Sequence, residues 1–222
     1  MSSADGGTTT PASETTEPPS NWNLPNALTT LRIASVPFYG WALLYDGGDS
    51  VLWRTVAWGI FVLAMVTDKI DGDIARKRGL ITDFGKIADP IADKAMTGMA
   101  FVGLAIIFES PWWWAVTIVV LIREWSVTFL RLYLVKRMVF AADRLGKLKT
   151  TFQVLALGGL ILPLLDPDLP EWLKTPGEVV YYISLACMVV AVALTLASGA
   201  QFFGGVWRQR HTLRGEPAHG PS

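Results

Sequence analysis

Six long apolar stretches, separated by short polar ones, dominate the pattern of the chain. A helix needs about 20 mainly apolar residues to cross the hydrocarbon core of a bilayer. The pattern therefore predicts an all-α, polytopic membrane protein with six transmembrane helices. We place them at about 28–45, 51–71, 90–108, 111–135, 150–165 and 179–203.

The two ends of the chain differ from this apolar middle. Residues 1–20 are rich in Ser, Thr, Pro and Gly and contain no apolar run, which is typical of a disordered tail. They also lack the basic start and apolar centre of a signal peptide. We expect a membrane domain over residues 21–206, followed by a basic cytoplasmic tail over residues 207–222.

The short loops indicate how the helices are oriented. Lys and Arg accumulate between the second and third segments, between the fourth and fifth, and after the sixth, whereas the alternate loops carry Asp and Glu. Loops on the cytoplasmic side of a membrane are enriched in Lys and Arg. We therefore expect a multi-pass protein of the cell membrane with both termini in the cytoplasm. Trp53, Trp112–Trp114 and Trp172 would then anchor the outer interface.

Composition narrows the class of function. The formal net charge is zero, so no basic surface field favours a nucleic-acid partner. The single cysteine, Cys187, excludes a disulfide within the chain, and no Cys and His spacing indicates zinc. Asp and Glu side chains are therefore the candidates for catalytic or metal-binding groups.

Four aspartates stand near the cytoplasmic ends of the second and third segments. Asp68 and Asp71 are three residues apart, and Asp89 and Asp93 are four apart. Each spacing places two carboxylates on one face of a helix. Because consecutive transmembrane segments run antiparallel, the two pairs lie at the same end and are expected to form one cluster.

Such a cluster favours a hard divalent cation. Several carboxylates close together repel one another near a membrane, and a metal ion removes this cost. Oxygen ligands suit Mg²⁺, Mn²⁺ or Ca²⁺, and four carboxylates can hold two ions that clamp a phosphoryl group. We expect Mg²⁺ or Mn²⁺, with two ions per site.

Small residues and an arginine follow the first aspartate pair. Gly72 and Ala75 lie about one turn apart and leave the helix backbone accessible to a flat ligand or a pyrophosphate. Arg76 follows directly and can bind phosphate with two hydrogen bonds. Gly85, just before the third segment, could also admit a ligand or close packing.

The complete pattern, Asp68-x2-Asp71-Gly72-x2-Ala75-Arg76-x8-Gly85-x3-Asp89-x3-Asp93, resembles the signature of the CDP-alcohol phosphatidyltransferases at every fixed position. The resemblance implies CDP-diacylglycerol as donor, CMP as product, membrane lipids as surroundings and a homodimer. It implies metal ligation by all four aspartates, with Asp93 also the catalytic base. It further implies that Asp68, Gly72, Ala75, Arg76 and Gly85 bind the CDP group.

Two further stretches resemble the phosphatidylglycerophosphate synthases within this family. They are Asn23–Arg32, ahead of Pro37, and Arg123-Glu124 together with Gly146–Gln153. The first stretch also resembles cardiolipin synthases, so a different acceptor, such as phosphatidylglycerol or inositol phosphate, stays open. Two other classes, an acidic cation channel or transporter and an inactive scaffold, do not account for the small residues and the intact motif.

Glycerol 3-phosphate, the implied acceptor, requires cations for its phosphate. We expect Arg123, Lys147, Lys149 and Thr150 to bind that phosphate, with Arg32 as a further candidate. An arginine inside an apolar segment is costly unless it meets a partner or a polar cavity. Glu124 and Arg131 are seven residues apart and share a helix face, so a structural salt bridge is an alternative use of this segment.

Overall fold

The computed structural model of the chain describes residues 23–78, 82–134 and 144–208. Within these ranges the chain forms six α-helices, a short 3-10 helix and no strand, so the all-α prediction is confirmed. The helices are α1 (Leu24–Leu44), α2 (Val51–Arg78), α3 (Asp83–Phe108), α4 (Pro111–Leu134), α5 (Arg144–Ile161) and α6 (Glu171–Arg208). The predicted tails, 1–20 and all but the first two residues of 207–222, lie outside the described residues.

Helix length and surface character fit a bilayer. Three helices are long and apolar enough to cross a membrane by length and composition, namely Val51–Ile74, Phe84–Phe108 and Glu171–Arg208. Large apolar side chains point outward along them; Leu52 is 68% exposed and Val189 is 70% exposed. Apolar surface this extensive would promote association in water, whereas in a bilayer it contacts lipid.

Four helices, α1, α3, α5 and α6, begin earlier than hydropathy predicts, and α3 and α6 do so by the largest margins. α3 starts at Asp83 instead of at Pro90, because Thr82 caps it: the Thr82 hydroxyl accepts a hydrogen bond of 3.1 Å from the N–H of Gly85. α6 starts at Glu171, although its apolar run begins near residue 179. Hydropathy finds the part of a helix that meets hydrocarbon, and a helix can extend beyond it into polar surroundings.

The helices alternate in direction, so their termini form two ends of the bundle. At one end the start of α1 contacts the start of α3, where the Asn26 side-chain amide donates to the Thr82 hydroxyl at 2.8 Å. At the other end Arg54, near the start of α2, contacts the last carbonyls of α5. We call the first of these the cavity end, because the cavity described below opens there.

The core between the two ends is apolar and closely packed. Tyr39, Phe61, Phe101 and Leu157 are completely or almost completely buried within it. α5 and α6 touch closely at Gly159: a Cβ atom there would lie 1.8 Å from the Ser184 hydroxyl oxygen. The core thus fixes the relative positions of the helices that carry charged residues at the cavity end.

Candidate active site

A cavity of about 850 Å³ at the cavity end collects most of the predicted site residues. Asp68 and Asp71 reach it from the last turns of α2, and Asp89 and Asp93 reach it from the first turns of α3. The remaining lining comes from α1, α2 and α5: Pro25, Thr29, Arg32, Met65, Lys69, Gly72, Lys147, Thr150, Thr151, Val154 and Leu155. The structure therefore brings the two aspartate pairs to a common space.

Arg32 on α1 links the aspartates of the first pair. Its Nη1 donates to Asp68 Oδ1, and its Nη2 lies 3.4 Å from Asp71 Oδ2. Arg32 is only 4% exposed and Asp71 only 7%. A buried charge is costly without a partner, so this guanidinium stabilises the two carboxylates and is stabilised by them.

The second aspartate pair has different partners. The Thr29 hydroxyl donates to Asp89 Oδ1 at 2.6 Å. Lys94 lies one residue after Asp93, and its Nζ is 2.9 Å from Asp93 Oδ2. Each of the four carboxylates is thus hydrogen-bonded or ion-paired to a side chain of α1 or α3 in this arrangement.

The donor chemistry of these residues fits a divalent cation, since carboxylate oxygens are the ligands that Mg²⁺ and Mn²⁺ prefer. In the described arrangement, however, the positive charge beside Asp68, Asp71 and Asp93 comes from Arg32 and Lys94. Among the described residues, no three acidic, His or Cys side chains are grouped closely enough to hold a metal ion. The four aspartates are therefore of the right chemical type to bind a divalent cation. In this arrangement the side chains of Arg32 and Lys94 neutralise their negative charge.

The residues predicted to bind the CDP group fall into three categories. Asp68 and Gly72 line the cavity. Ala75 and Arg76 belong to α2, but their side chains lie outside the described residues. Gly85 is buried and is not part of the cavity lining; a Cβ atom there would lie 3.0 Å from Asn26 Oδ1, so its lack of a side chain lets α1 approach α3.

The residues predicted to bind the acceptor phosphate divide into two groups. Lys147 and Thr150 line the cavity directly. Arg123 and Lys149 do not line it; both bind Glu124, with Arg123 Nη1 at 2.8 Å and Lys149 Nζ at 2.5 Å from Oε1. Arg131, the other possible partner of Glu124, lies over the ring of Phe202. The salt bridges of Glu124 thus form with neighbours at the cavity end.

Arg32 was predicted only as a further candidate for the acceptor phosphate, and Thr29 and Lys94 were not predicted as site residues. Arg32 is the only charged residue in the first apolar segment, and Thr29 precedes it by three residues on the same helix face. That pattern is a usable signal for a polar site on α1. Lys94 gave no such signal, because a lysine beside an aspartate also fits the basic cytoplasmic end of a helix.

A second, apolar cavity adjoins the first. It has a volume of about 460 Å³ and lies between α2, α5 and α6. Met65, Val154 and Leu155 line both cavities, and the second continues along α6 to Val180. A charged cavity and an apolar cavity therefore share a wall, which suits a ligand with a polar head and an apolar tail.

Comparison with known proteins shows the family of the chain. The family described as CDP-alcohol phosphatidyltransferase matches residues 22–197, which include every described residue of the cavity. The chain belongs to this family. Members of the CDP-alcohol phosphatidyltransferase family generally depend on a divalent metal.

Individual relatives are similar over most of their length. The chain is 41% identical over 192 residues to the "Probable phosphatidylglycerophosphate synthase" of Mycobacterium tuberculosis, covering 86% of this chain and 85% of the relative. It is 36% identical over 201 residues to the CDP-diacylglycerol–glycerol-3-phosphate 3-phosphatidyltransferase of Bacillus subtilis, covering 86% and 98%. The enzyme of that name from Sodalis glossinidius is 36% identical over 194 residues, covering 86% and 97%.

Proposed function

We propose that the chain transfers the phosphatidyl group of CDP-diacylglycerol to glycerol 3-phosphate, giving phosphatidylglycerophosphate and CMP. The observation that carries the proposal is the common cavity of Asp68, Asp71, Asp89 and Asp93 beside Lys147 and Thr150. It combines acidic groups suited to a metal-bound pyrophosphate with a basic residue suited to an acceptor phosphate. The names of the relatives support the same substrates.

The two adjoining cavities suit the donor lipid. Gly72 leaves room for the nucleotide beside the backbone of α2, and Arg76 follows one turn later to bind phosphate. The apolar cavity between α2, α5 and α6 suits one acyl chain, because its lining is almost entirely hydrophobic and it begins where the charged cavity ends. A lipid nucleotide uses both cavities, whereas a water-soluble nucleotide would use only one.

The reaction is a direct displacement at phosphorus. The 1-hydroxyl of glycerol 3-phosphate attacks the phosphorus that carries diacylglycerol, the P–O bond to CMP breaks, and the hydroxyl proton passes to the carboxylate of Asp93. Asp68, Asp71, Asp89 and Asp93 would hold Mg²⁺ or Mn²⁺, as two ions, and the bound ions would supply a lowered pKa of the hydroxyl and stabilisation of charge on the phosphoryl oxygens. Asp93 faces the cavity while Lys94 holds its Oδ2, so a fixed carboxylate is present where the proton leaves.

The acceptor phosphate is placed on the α5 side of the cavity. Lys147 and Thr150 contact it, and Arg123 and Lys149 add positive charge behind them. Glu124 and Asp93 carry two negative charges, whereas the cations that bind them, Lys94, Arg123 and Lys149, carry three positive charges. The excess positive charge on this side favours a dianionic phosphate over a neutral alcohol.

The surroundings of the site complete the proposal. The cavity end faces the cytoplasm, because Lys and Arg accumulate in the loops at this end. We infer that the other three helices cross the cell membrane together with the three that are long and apolar enough by themselves. The chain acts as a homodimer, as the family resemblance implies. Cross-linking in native membranes tests the dimer, and labelling of single cysteines introduced at 86 and 168 from either side of the membrane tests the orientation.

Activity in purified protein tests the reaction. CMP release from CDP-diacylglycerol in the presence of glycerol 3-phosphate, with the lipid product identified by mass spectrometry, is expected to require Mg²⁺ or Mn²⁺. Exhaustive chelation should abolish CMP release, and added Mg²⁺ should restore it. Asp68→Asn, Asp71→Asn and Asp89→Asn should each raise the metal concentration needed for half-maximal rate. Full activity after chelation would contradict the assignment of the aspartates.

A further inference from the structure

Glu124 on α4 is a buried carboxylate at the centre of a charge network. It is 3% exposed and accepts from Lys94 Nζ at 2.7 Å, Arg123 Nη1 at 2.8 Å and Lys149 Nζ at 2.5 Å. These cations come from three helices, α3, α4 and α5. An acid within a membrane helix is costly, and partners on three helices offset that cost.

Lys94 connects this network to the reacting carboxylate. Its Nζ lies 2.7 Å from Glu124 Oε2 and 2.9 Å from Asp93 Oδ2. Asp93 lines the cavity, whereas Lys94 and Glu124 do not. An ammonium group has three N–H donors, so one lysine can hold both carboxylates at the same time. The network therefore reaches the cavity through one oxygen of Asp93.

The far side of the network is fixed by α6. Arg123 Nη2 donates to the completely buried hydroxyl of Ser198 at 2.6 Å. The adjacent Gly199 leaves room for this arginine, because a Cβ atom at 199 would lie 3.2 Å from Arg123 Cγ. Four helices thus hold the network, and a shift of Glu124 would be transmitted to Lys94 and Asp93.

A purely structural ion cluster is the competing interpretation, and Arg54 shows what such a group looks like in this chain. Arg54 donates to the carbonyls of Leu160 at 2.9 Å and Ile161 at 3.0 Å, which closes the end of α5. In the part of the chain that the structure describes, its hydrogen bonds all go to backbone carbonyls, and the nearby Asp49 and Asp166 act on its charge only from a distance. Lys94 differs, because its ammonium is divided between a buried carboxylate and one that faces the cavity.

We propose that Lys94 and Glu124 are positioning residues that act through Asp93. Glu124 anchors the ammonium of Lys94, and Lys94 holds Asp93 Oδ2 so that the carboxylate meets the acceptor hydroxyl in a fixed orientation. Neither residue touches the substrate. The inference rests on the proposed role of Asp93 in phosphatidyl transfer, and it adds the residues that make this role possible.

Steady-state kinetics of Lys94→Met and Glu124→Gln test the inference. Lys94→Met should lower kcat by about 10–100-fold and leave the KM for CDP-diacylglycerol within about twofold, because orientation of the base affects the transition state and not donor binding. Glu124→Gln should lower kcat similarly and also raise the KM for the acceptor, since Arg123 and Lys149 lose their shared partner.

A double-mutant cycle separates positioning from independent effects. If the two residues act as one unit, Lys94→Met combined with Glu124→Gln should cost no more in kcat than the larger single change. Arg54→Met is the structural comparator and Lys174→Met, whose Nζ lies 2.6 Å from Glu171 at the opposite end, is the surface comparator. Thermal unfolding of each variant gives its folded fraction. The kcat calculated for that fraction should equal the wild-type kcat in both comparators.

The outcomes distinguish this inference from the proposed function. A wild type that releases no CMP with glycerol 3-phosphate contradicts the proposed function, and the kinetic comparison then uses the alcohol that the wild type accepts. An active wild type with unchanged kcat in folded Lys94→Met overturns the positioning role. Strictly additive losses of kcat in the double variant overturn it as well. The same holds if the activity of the variants falls only in proportion to the folded fraction, as expected for Arg54→Met.

Discussion

The two ends of the helix bundle use buried cations in different ways. At the end opposite the cavity, Arg54 binds carbonyl oxygens at the end of α5. At the cavity end, Arg32 and Lys94 bind carboxylates that line a space of about 850 Å³. Arg54 also borders a cavity, of about 250 Å³, but its hydrogen bonds go to carbonyls of the main chain. Arg32 and Lys94 instead bind carboxylates that themselves line the larger cavity.

This difference separates stabilising charges from functional ones. A backbone carbonyl does not take up a proton near neutral pH, so the hydrogen bonds of Arg54 to carbonyls hold α2 against the end of α5. A carboxylate can take up a proton or bind a metal ion, and its cationic partner sets where its oxygens lie. Substitutions at the two ends should therefore differ in kind: kinetic losses at the cavity end and stability losses at the other.

The largest kinetic loss is expected for Asp93→Asn. An amide cannot accept the hydroxyl proton, and removing a general base typically costs about 10²–10⁴-fold in rate. Binding of CDP-diacylglycerol should largely persist, because Asp68 and Gly72 still line the cavity. CMP release measures turnover, and isothermal titration measures donor binding. Asp168→Asn, in an exposed position between α5 and α6, is the matched control. A near-wild-type rate in Asp93→Asn would remove this residue from the mechanism.

The next effect is expected for Gly72→Leu. A leucine side chain would occupy the cavity where the nucleotide is proposed to lie, so the KM for CDP-diacylglycerol should rise by about 10²-fold or binding should be lost. Gly59→Leu is the control on the same helix, since nothing lies within 4 Å of a Cβ atom at 59. Both variants should insert into membranes. Normal donor binding by Gly72→Leu would show that the nucleotide binds elsewhere.

A smaller effect is expected for Lys147→Ala. Hydrogen bonds to charged groups contribute about 1.5–3 kcal/mol each, so the KM for glycerol 3-phosphate should rise by about 10–100-fold. The KM for the donor should not change. Thr150→Ala should be milder, because its hydroxyl also bonds the carbonyl of Gly146 at 3.0 Å. Lys174→Ala at the opposite end serves as the control, and an unchanged acceptor KM in Lys147→Ala would refute the assignment.

The smallest kinetic effect is expected for Arg54→Met, which alters the buried cation at the end opposite the cavity. The substitution leaves the end of α5 without its donors, so the melting temperature should fall. The kcat of the folded fraction should stay within about twofold, because no reacting group is altered. A large drop in kcat without loss of stability would mean that the two ends do not differ as described.

Local sequence patterns predicted the parts of this site that lie within one helix. The spacing of Asp68 with Asp71 and of Asp89 with Asp93 fixes which face of a helix each pair occupies, and alternation of the helices brings the pairs to one end. Gly72 follows Asp71 directly on α2, so its place beside the first aspartate pair also depends on this helix alone. These features follow from helical periodicity and membrane topology, which a sequence displays directly.

Contacts between helices were harder to predict. Gly85 was expected to admit either the donor or close packing, and it makes room for Asn26 of α1, 59 residues away in sequence. Arg123 and Lys149 were expected in the cavity, but Glu124 holds both beside it. Which partner a buried charge selects depends on helix rotation and packing distance, and neither quantity is encoded in local spacing.

The most direct test of the central claim is a comparison of acceptors on one purified preparation. CDP-diacylglycerol is supplied with Mg²⁺ and either glycerol 3-phosphate, glycerol or phosphatidylglycerol, and the lipid products are identified by mass spectrometry. We expect phosphatidylglycerophosphate and an equal amount of CMP from glycerol 3-phosphate, with little product from the other two and a rate at least about 10²-fold lower in Asp93→Asn. Formation of cardiolipin from phosphatidylglycerol, with no reaction of glycerol 3-phosphate, would contradict the proposed function.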